Sequence, residues 1–482
     1  MPNCPTSLRL LPLAVLLGAA VLTSAAQSPP EFTVVEATID AMRQAMEQGR
    51  TTSREIVQQS LTRIALYEDE LNAVIAVNRR ALEEADARDR ERAAGKIRGA
   101  LHGIPIALKD NIHATDMPTT GGALALAGLM PPYEATVAKN LREAGAILIA
   151  KTQMTELANF VTVGMPANYN SLTGYGMNPY DPRRDPRWML ADGRPVLTTG
   201  GSSSGVGTAV SFWAANVGTE TSGSILSPAT QNMLAAIKPT VGRVSRYGII
   251  PITSDQDTPG PMARSVADAA ILLGAMEGAS PDPNDSATTA CPPLPGHDYT
   301  RFLDAGALKG ARIGIPRAFF YDRVASPGSG KTQGGLEADE RKAMGEAMAI
   351  LIDQGAVVID PADIPSVVDT DPAMNFLVWD ICNGLEGASG KDDDCSIVLK
   401  YGMKRDFNLW LASLGSAAPV TSLTELRRWN LEHEGAGALM YGQENLDISD
   451  DVDVEADRPR YEADRRKDVF LSATPPMGST KR

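Results

Sequence analysis

From Gly103 onward, short apolar runs alternate with helical patterns, and this alternation restricts the chain to one broad architecture. GIPIALK ends an uncharged, strand-like run on Lys109, and TVAKNLREAGAILIAKT (Thr136 to Thr152) reads as a helix, a glycine stop and a second strand. Farther on, ARIGIPRAFF (Ala311 to Phe320) starts a strand, EADERKAMGEAMAILIDQG is a helix and AVVID a strand. Strands interleaved with helices in this way predict an α/β fold, a mixed β-sheet core covered by helices on both faces.

Ahead of this core, TVVEA reads as a short strand. Thr52-Ser53-Arg54-Glu55 then reads as a capping box, with Val57, Leu61, Ile64 and Tyr67 forming the buried face of the helix it starts. LNAVIAVNRRALEEADARDRERAAG is a strand or turn followed by a charged, solvated helix. Gly205 to Trp213 reads as a helix whose positive end lies beside a serine-rich loop, and helices from about Asn375 to Tyr441 are expected to cover the cleft. The expected organisation is a single domain over 27–470: N-terminal helices to 100, a core over 101–315, and a helical cap with further elements over 316–470. Residues 471–482 form an unstructured tail without apolar periodicity.

The first 26 residues fall outside that domain. Arg9, the apolar run Leu10 to Leu22 and the small residues Thr23 to Ala26 form a secretory signal, too short to be a comfortable membrane span. Export permits disulfides, and Cys382 and Cys395 can pair across a loop, while an odd count after removal of Cys4 leaves one thiol free. Neither C-x-x-C nor H-x-x-x-H occurs, so no metal is expected. With 482 residues, 43% of them hydrophobic, the chain can bury a large core, and its net charge of −14 disfavours nucleic acid or an anionic membrane as partner. A small neutral molecule is the expected ligand, with no cofactor.

Three segments carry chemistry. Lys109 ends the apolar run of GIPIALKDNI, a Gly/Ser loop GGSSSG spans Gly200 to Gly205, and Ser224 sits in TETSGSILSP (Thr219 to Pro228). A serine hydroxyl is a weak nucleophile until a base takes its proton, and a lysine serves as that base only where burial depresses its pKa. The turn Thr221-Ser222-Gly223-Ser224 can aim successive backbone N–H groups at one point, an oxyanion hole.

These segments, with KTQMTELANF (Lys151 to Phe160), NPYDP (Asn178 to Pro182) and DTPGPMARSVADAA (Asp257 to Ala270), resemble the amidase signature hydrolases, from about Val35 to about Lys467. The resemblance implies an amidase signature fold and an enzyme that cleaves an amide through a serine acyl-enzyme. It implies Lys109 as base, Ser202 as bridging serine on a cis peptide bond and Ser224 as nucleophile. Thr221, Ser222, Gly223 and Ser224 would form the oxyanion hole, and Thr120, Gly121, Gly122, Ser203 and Leu226 would contact substrate. Some members bind a carboxylate through an arginine just after the nucleophile; here Ile225, Leu226 and Ser227 stand there, so a neutral carboxamide is expected, such as a peptide C-terminal amide or an arylamide.

Against the family pattern, Ser202 to Ser224 spans only 22 positions, WMLADGRPVL (Trp188 to Leu197) reads as an insertion, and the chain is short after YEADRRKDVF. That shortness leaves a truncated, non-catalytic remnant or binding protein as a second expectation. A third comes from Gly201 to Gly205, which fits the G-x-S-x-G elbow of α/β-hydrolases with Ser203 as nucleophile. It requires a later acid and a histidine, and only His297 and His433 follow.

Overall fold

The computed structural model describes residues 32–187, 192–328, 330–382 and 395–473. The signal segment, most of WMLADGRPVL's apolar start and nearly all of the expected tail lie outside these residues. The helix Arg458–Ala473 runs past residue 471, the start of the expected tail.

The N-terminal part opens with α1 (Ile39–Glu47) and α2 (Ser53–Leu71), followed by β1 (Val74–Val77) and α3 (Ala81–Ala93). Thr52 and Glu55 make the expected capping box, the Thr52 side chain accepting from the Glu55 N–H and Glu55 returning the bond. Thr52→Ala is therefore expected to lower the unfolding free energy by about 1 kcal/mol in a urea titration. Two expectations fail here. Tyr67 is exposed, lying under the Arg63 guanidinium, and Ile56 takes the buried place beside Val57 and Ile64. TVVEA is a turn: Glu36 has a φ of 56°, which no strand accommodates, and its N–H is held by the Ser211 hydroxyl.

The core continues through β2 (Pro105–Lys109), α4 (Thr136–Glu143), β3 (Ile147–Thr152), the hairpin of β4 (Tyr169–Asn170) and β5 (Gly174–Tyr175), α5 (Val206–Ala209) and β6 (Ala215–Glu220). It closes with α6 (Leu226–Gln231), β7 (Ala235–Ala236), β8 (Thr258–Ala263) and α7 (Val266–Met276). The main sheet has the order β1-β3-β2-β6-β8-β7. It is mixed: β2 is parallel to β3 and β6, while β1, β8 and β7 join antiparallel. Every residue of β2, β3, β6 and β8 is buried, as strands covered on both faces require.

Side-chain alternation sorts the two faces. Ile106, Leu108 and Val217 pack with α1, α4 and α7, whereas Ala107, Ile147 and Ile149 pack with α2, α3 and the Phe212-Trp213 pair. The expected layering is therefore present. A further apolar cluster joins Leu126, Leu157, Tyr169 and Ile252 to the helices Val398–Ser413 and Leu423–Glu432. The strands Arg312–Gly314 and Val357–Ile359 pair parallel in a separate two-stranded sheet. Cys382 and Cys395 are joined in a disulfide, and Cys291 is a free, half-buried thiol.

The helix expected over Gly205 to Trp213 is only the four residues of α5. Ser211 takes a φ of 59°, and the Trp213 indole turns back to donate to the Thr208 hydroxyl at 2.8 Å. A Cβ at position 207 would lie 2.2 Å from that ring, so Gly207 makes the reversal possible. One turn of helix carries no useful dipole, so α5 does not play the electrostatic part expected of a longer helix.

Candidate active site

Lys109 ends β2 at the centre of the sheet, so neighbouring strands wall it off from water and its side chain is fully buried. Its Nζ lies 2.7 Å from Ser202 Oγ, 3.0 Å from Thr219 Oγ1 and 3.1 Å from the Thr219 carbonyl. Burial drives the lysine down to about 7, with Asp257 and Glu220 pulling the other way. The Thr219 carbonyl only accepts, so it takes one lysine N–H, while the Thr219 hydroxyl, which accepts from Asn111 Nδ2 at 3.0 Å, and the Ser202 hydroxyl fill the other two positions around the amine.

The serine loop reaches this amine through close backbone contact. Gly200 has a φ of 66°, and a Cβ there would sit 2.7 Å from Pro228 Cα; the Gly201-Ser202 peptide is cis. The Thr155 N–H donates to the Ser202 carbonyl at 2.9 Å, and the Ser203 N–H donates to the Ser224 carbonyl at 3.1 Å. The second bond sets the loop beside the strand-to-helix turn after β6. Lys109 and Ser202 are thus directly joined, and Ser224 is tied to the same loop through its main chain. Among the described residues no hydrogen bond runs from Ser202 Oγ to Ser224 Oγ.

Ser224 is 7% exposed, and Leu226, two residues on, is half exposed. The backbone N–H groups of Thr221, Ser222, Gly223 and Ser224 have no acceptor among the described residues. The next three are taken: Ile225 and Leu226 donate to the Glu220 carboxylate at 2.7 and 3.0 Å, and Ser227 donates to the Gly223 carbonyl.

The remaining sequence-derived residues fall elsewhere. Thr120, Gly121 and Gly122 form a buried turn wrapped on Asp110, whose carboxylate accepts from the Thr120 N–H and hydroxyl and pairs with Lys151 at 3.3 Å. Gly122 packs so tightly that a Cβ would meet Asn170 at 2.7 Å, which joins this turn to the β4–β5 hairpin. Ser203 is fully buried, its hydroxyl donating to the Thr219 carbonyl and accepting from the Thr219 N–H, both at 3.1 Å. Its one proton is committed to the Thr219 carbonyl and its oxygen is shut off from solvent. His297 faces Glu277 and His433 stacks on Trp429, so no histidine reaches the serine loop and the elbow arrangement is not formed.

Three functional contributors escape a reading of the sequence alone: Thr219, which orients the lysine; Glu220, which takes the N–H groups after Ser224; and Asp257. Asp257 accepts from the Thr221 hydroxyl and from the Ile252 and Thr253 N–H groups, and burial pushes it up to about 7. Their only signal is their place as the first residues of TETSGSILSP and DTPGPMARSVADAA.

Fold and site together describe a hydrolase-like lysine–serine centre on a mixed α/β sheet. The family model Amidase matches residues 55–380, and the chain belongs to this family. It is 40% identical over 292 residues to a probable amidase of Arabidopsis thaliana, covering 59% of this chain and 54% of that protein. The native peptide amidase of Stenotrophomonas maltophilia superposes with a TM-score of 0.73 at 34% identity, covering 91% of this chain and 80% of that one. A peptide amidase bound to the competitive inhibitor chymostatin superposes at 0.75, with 33% identity and coverage of 92% and 81%. The chain spans between half and three fifths of the length of the curated relatives it matches first.

Proposed function

We propose that this protein is an exported amidohydrolase that cleaves a neutral carboxamide, with a peptide amide as the favoured class, to a carboxylic acid and ammonia or an amine. The contact between Lys109 Nζ and Ser202 Oγ, in a place dry enough to bring the lysine to about 7, carries this reading. Neutral Lys109 takes the Ser202 proton as Ser202 takes that of Ser224, whose oxygen adds to the substrate carbonyl. The resulting oxyanion is held by the N–H groups of Thr221 to Ser224. The C–N bond then breaks as the proton returns through Ser202 to the leaving nitrogen. Water enters the same path, adds to the acyl-enzyme and releases the acid and Ser224.

Half-exposed Leu226, with no arginine in the turn, favours an uncharged substrate. Export rests on the N-terminal signal, and the Cys382–Cys395 disulfide supports an oxidising compartment. The net charge of −14 argues against nucleic acid or an anionic membrane as partner. Among the described residues no helix is long and apolar enough to cross a membrane.

The test is ammonia release from a peptide C-terminal amide between pH 5 and 9. Because the base must be neutral, activity is expected to be low on the acid side and to rise through an ionisation near about 7. A pH-independent rate, or one that falls with rising pH, would remove lysine as the base.

A further inference from the structure

We infer that Glu220 is a positioning residue that shapes the Thr221–Ser224 turn into an anion-binding site, a role that rests on the acyl-transfer reading above. Glu220 ends β6, pairs with Thr258 across the sheet and is 5% exposed. Its side chain folds forward over its own turn, and one oxygen, Oε2, receives both the Ile225 N–H at 2.7 Å and the Leu226 N–H at 3.0 Å. Such charge-assisted bonds are short and strong.

Their consequence lies in what they leave over. Seven successive N–H groups follow Glu220, and the boundary between free and bound falls between Ser224 and Ile225. If the carboxylate were absent, the buried Ile225 N–H and the part-buried Leu226 N–H would both lose their acceptor. The turn would then relax to satisfy them, because an orphaned buried donor is costly. The backbone has little other freedom: the Ile225 side chain is fully buried with Ala229 and Met262, and the far end of the turn is pinned where Asp257 accepts from the Thr221 hydroxyl. Glu220 thus aims the N–H groups without touching the reacting atoms.

The same carboxylate is one of two anions that act on Lys109. Asp257 is the other, approaching from the loop before β8; itself pushed up to about 7 by burial, it titrates in the same range as the lysine and is unchanged in every variant compared. The Asp110–Lys151 pair belongs to the opposite face of β2, and the lysine's immediate neighbours, Ser202, Thr219 and Asn111, are uncharged. Removing the Glu220 charge while keeping its shape therefore lets Lys109 lose its proton more readily, and the acid limb of the pH profile moves to lower pH.

Two variants separate the roles. Glu220→Ala is expected to lower kcat for amide hydrolysis by about 100-fold or more, the size seen when one oxyanion donor is lost, with KM changed far less. Glu220→Gln keeps an acceptor oxygen, so it should recover most of that rate while its acid limb sits below the wild-type one. A Glu220→Ala enzyme with wild-type kcat, or a Glu220→Gln enzyme as slow as it with an unmoved acid limb, would overturn the inference. Should the Ala variant fail to fold in a thermal melt, Glu220→Asp, which keeps the charge but shortens the reach to the Ile225 and Leu226 N–H groups, decides: a lowered kcat with an unmoved acid limb upholds the role and a wild-type kcat ends it. The wild-type enzyme run alongside tells the two readings apart. No turnover by wild type removes the hydrolase reading and this inference with it, whereas wild-type turnover matched by both variants removes only the role of Glu220.

Discussion

Lys109→Met is expected to abolish measurable acylation while the protein still unfolds cooperatively. Methionine is unbranched like lysine, only one atom shorter, and suited to a dry site, so packing is largely kept and the cost falls on chemistry. The loss should be about 10³- to 10⁴-fold in kcat, the size of a general base working in concert with its nucleophile. Among the lysines and histidines no other base stands by: Lys151 is held by Asp110, Thr119 and Pro118 on the other face, and His102, His113, His297 and His433 bond or stack elsewhere. Stopped-time labelling with a fluorophosphonate, together with amide turnover, measures the effect. Turnover near the wild-type rate would rule out the lysine mechanism.

The second large effect separates three neighbouring serines. Ser224→Ala should lose covalent labelling altogether, with peptide mapping of the wild type placing the label on Ser224. Ser202→Ala should still be labelled, but about 10²-fold or more slowly, because the proton path to Lys109 is cut. Ser203→Ala should be labelled at Ser224 and should lose stability instead, by about 1–3 kcal/mol, since the Thr219 N–H loses its acceptor in the buried sheet. A label found on Ser203 would contradict this assignment and favour the elbow arrangement.

The sequence is most informative where a short stretch determines its own fate. β2 and β3 are legible as apolar runs that need cover on both faces, each with one lysine at or near its end, and the stop between α4 and β3 as Gly145, whose φ is 90°. The lysine and serines are legible because glycine-rich, serine-rich segments stand out at fixed spacing. What stays hidden depends on partners distant in sequence. Nothing in SFWAANVG tells that Trp213 folds back on Gly207 and ends α5 after four residues. Ser203 looks like a candidate nucleophile until β6 is laid beside it and its hydroxyl proton goes to the Thr219 carbonyl. Glu220 resembles a solvated strand end, and only the path of the turn after it makes its carboxylate an internal acceptor.

The position of Lys109 at the middle of the sheet also governs when this chain can become reactive. Lys109 and its partner Thr219 are 110 positions apart, and β2 has no neighbour on that side until β6 has been made. At about 5–20 residues per second, a ribosome needs roughly 5–20 s to supply that stretch. Throughout that interval Lys109 is hydrated, carries its full charge and cannot accept a proton. A nascent chain that stops short of β6 also lacks Ser224, and a broken chain that holds the serines without the closed sheet has no activated hydroxyl, so neither can attack its own backbone or the amides around it. Reactivity arrives with the closed sheet and leaves with it, which ties this protein's chemistry to its structural integrity through a link that needs no inhibitor to enforce it.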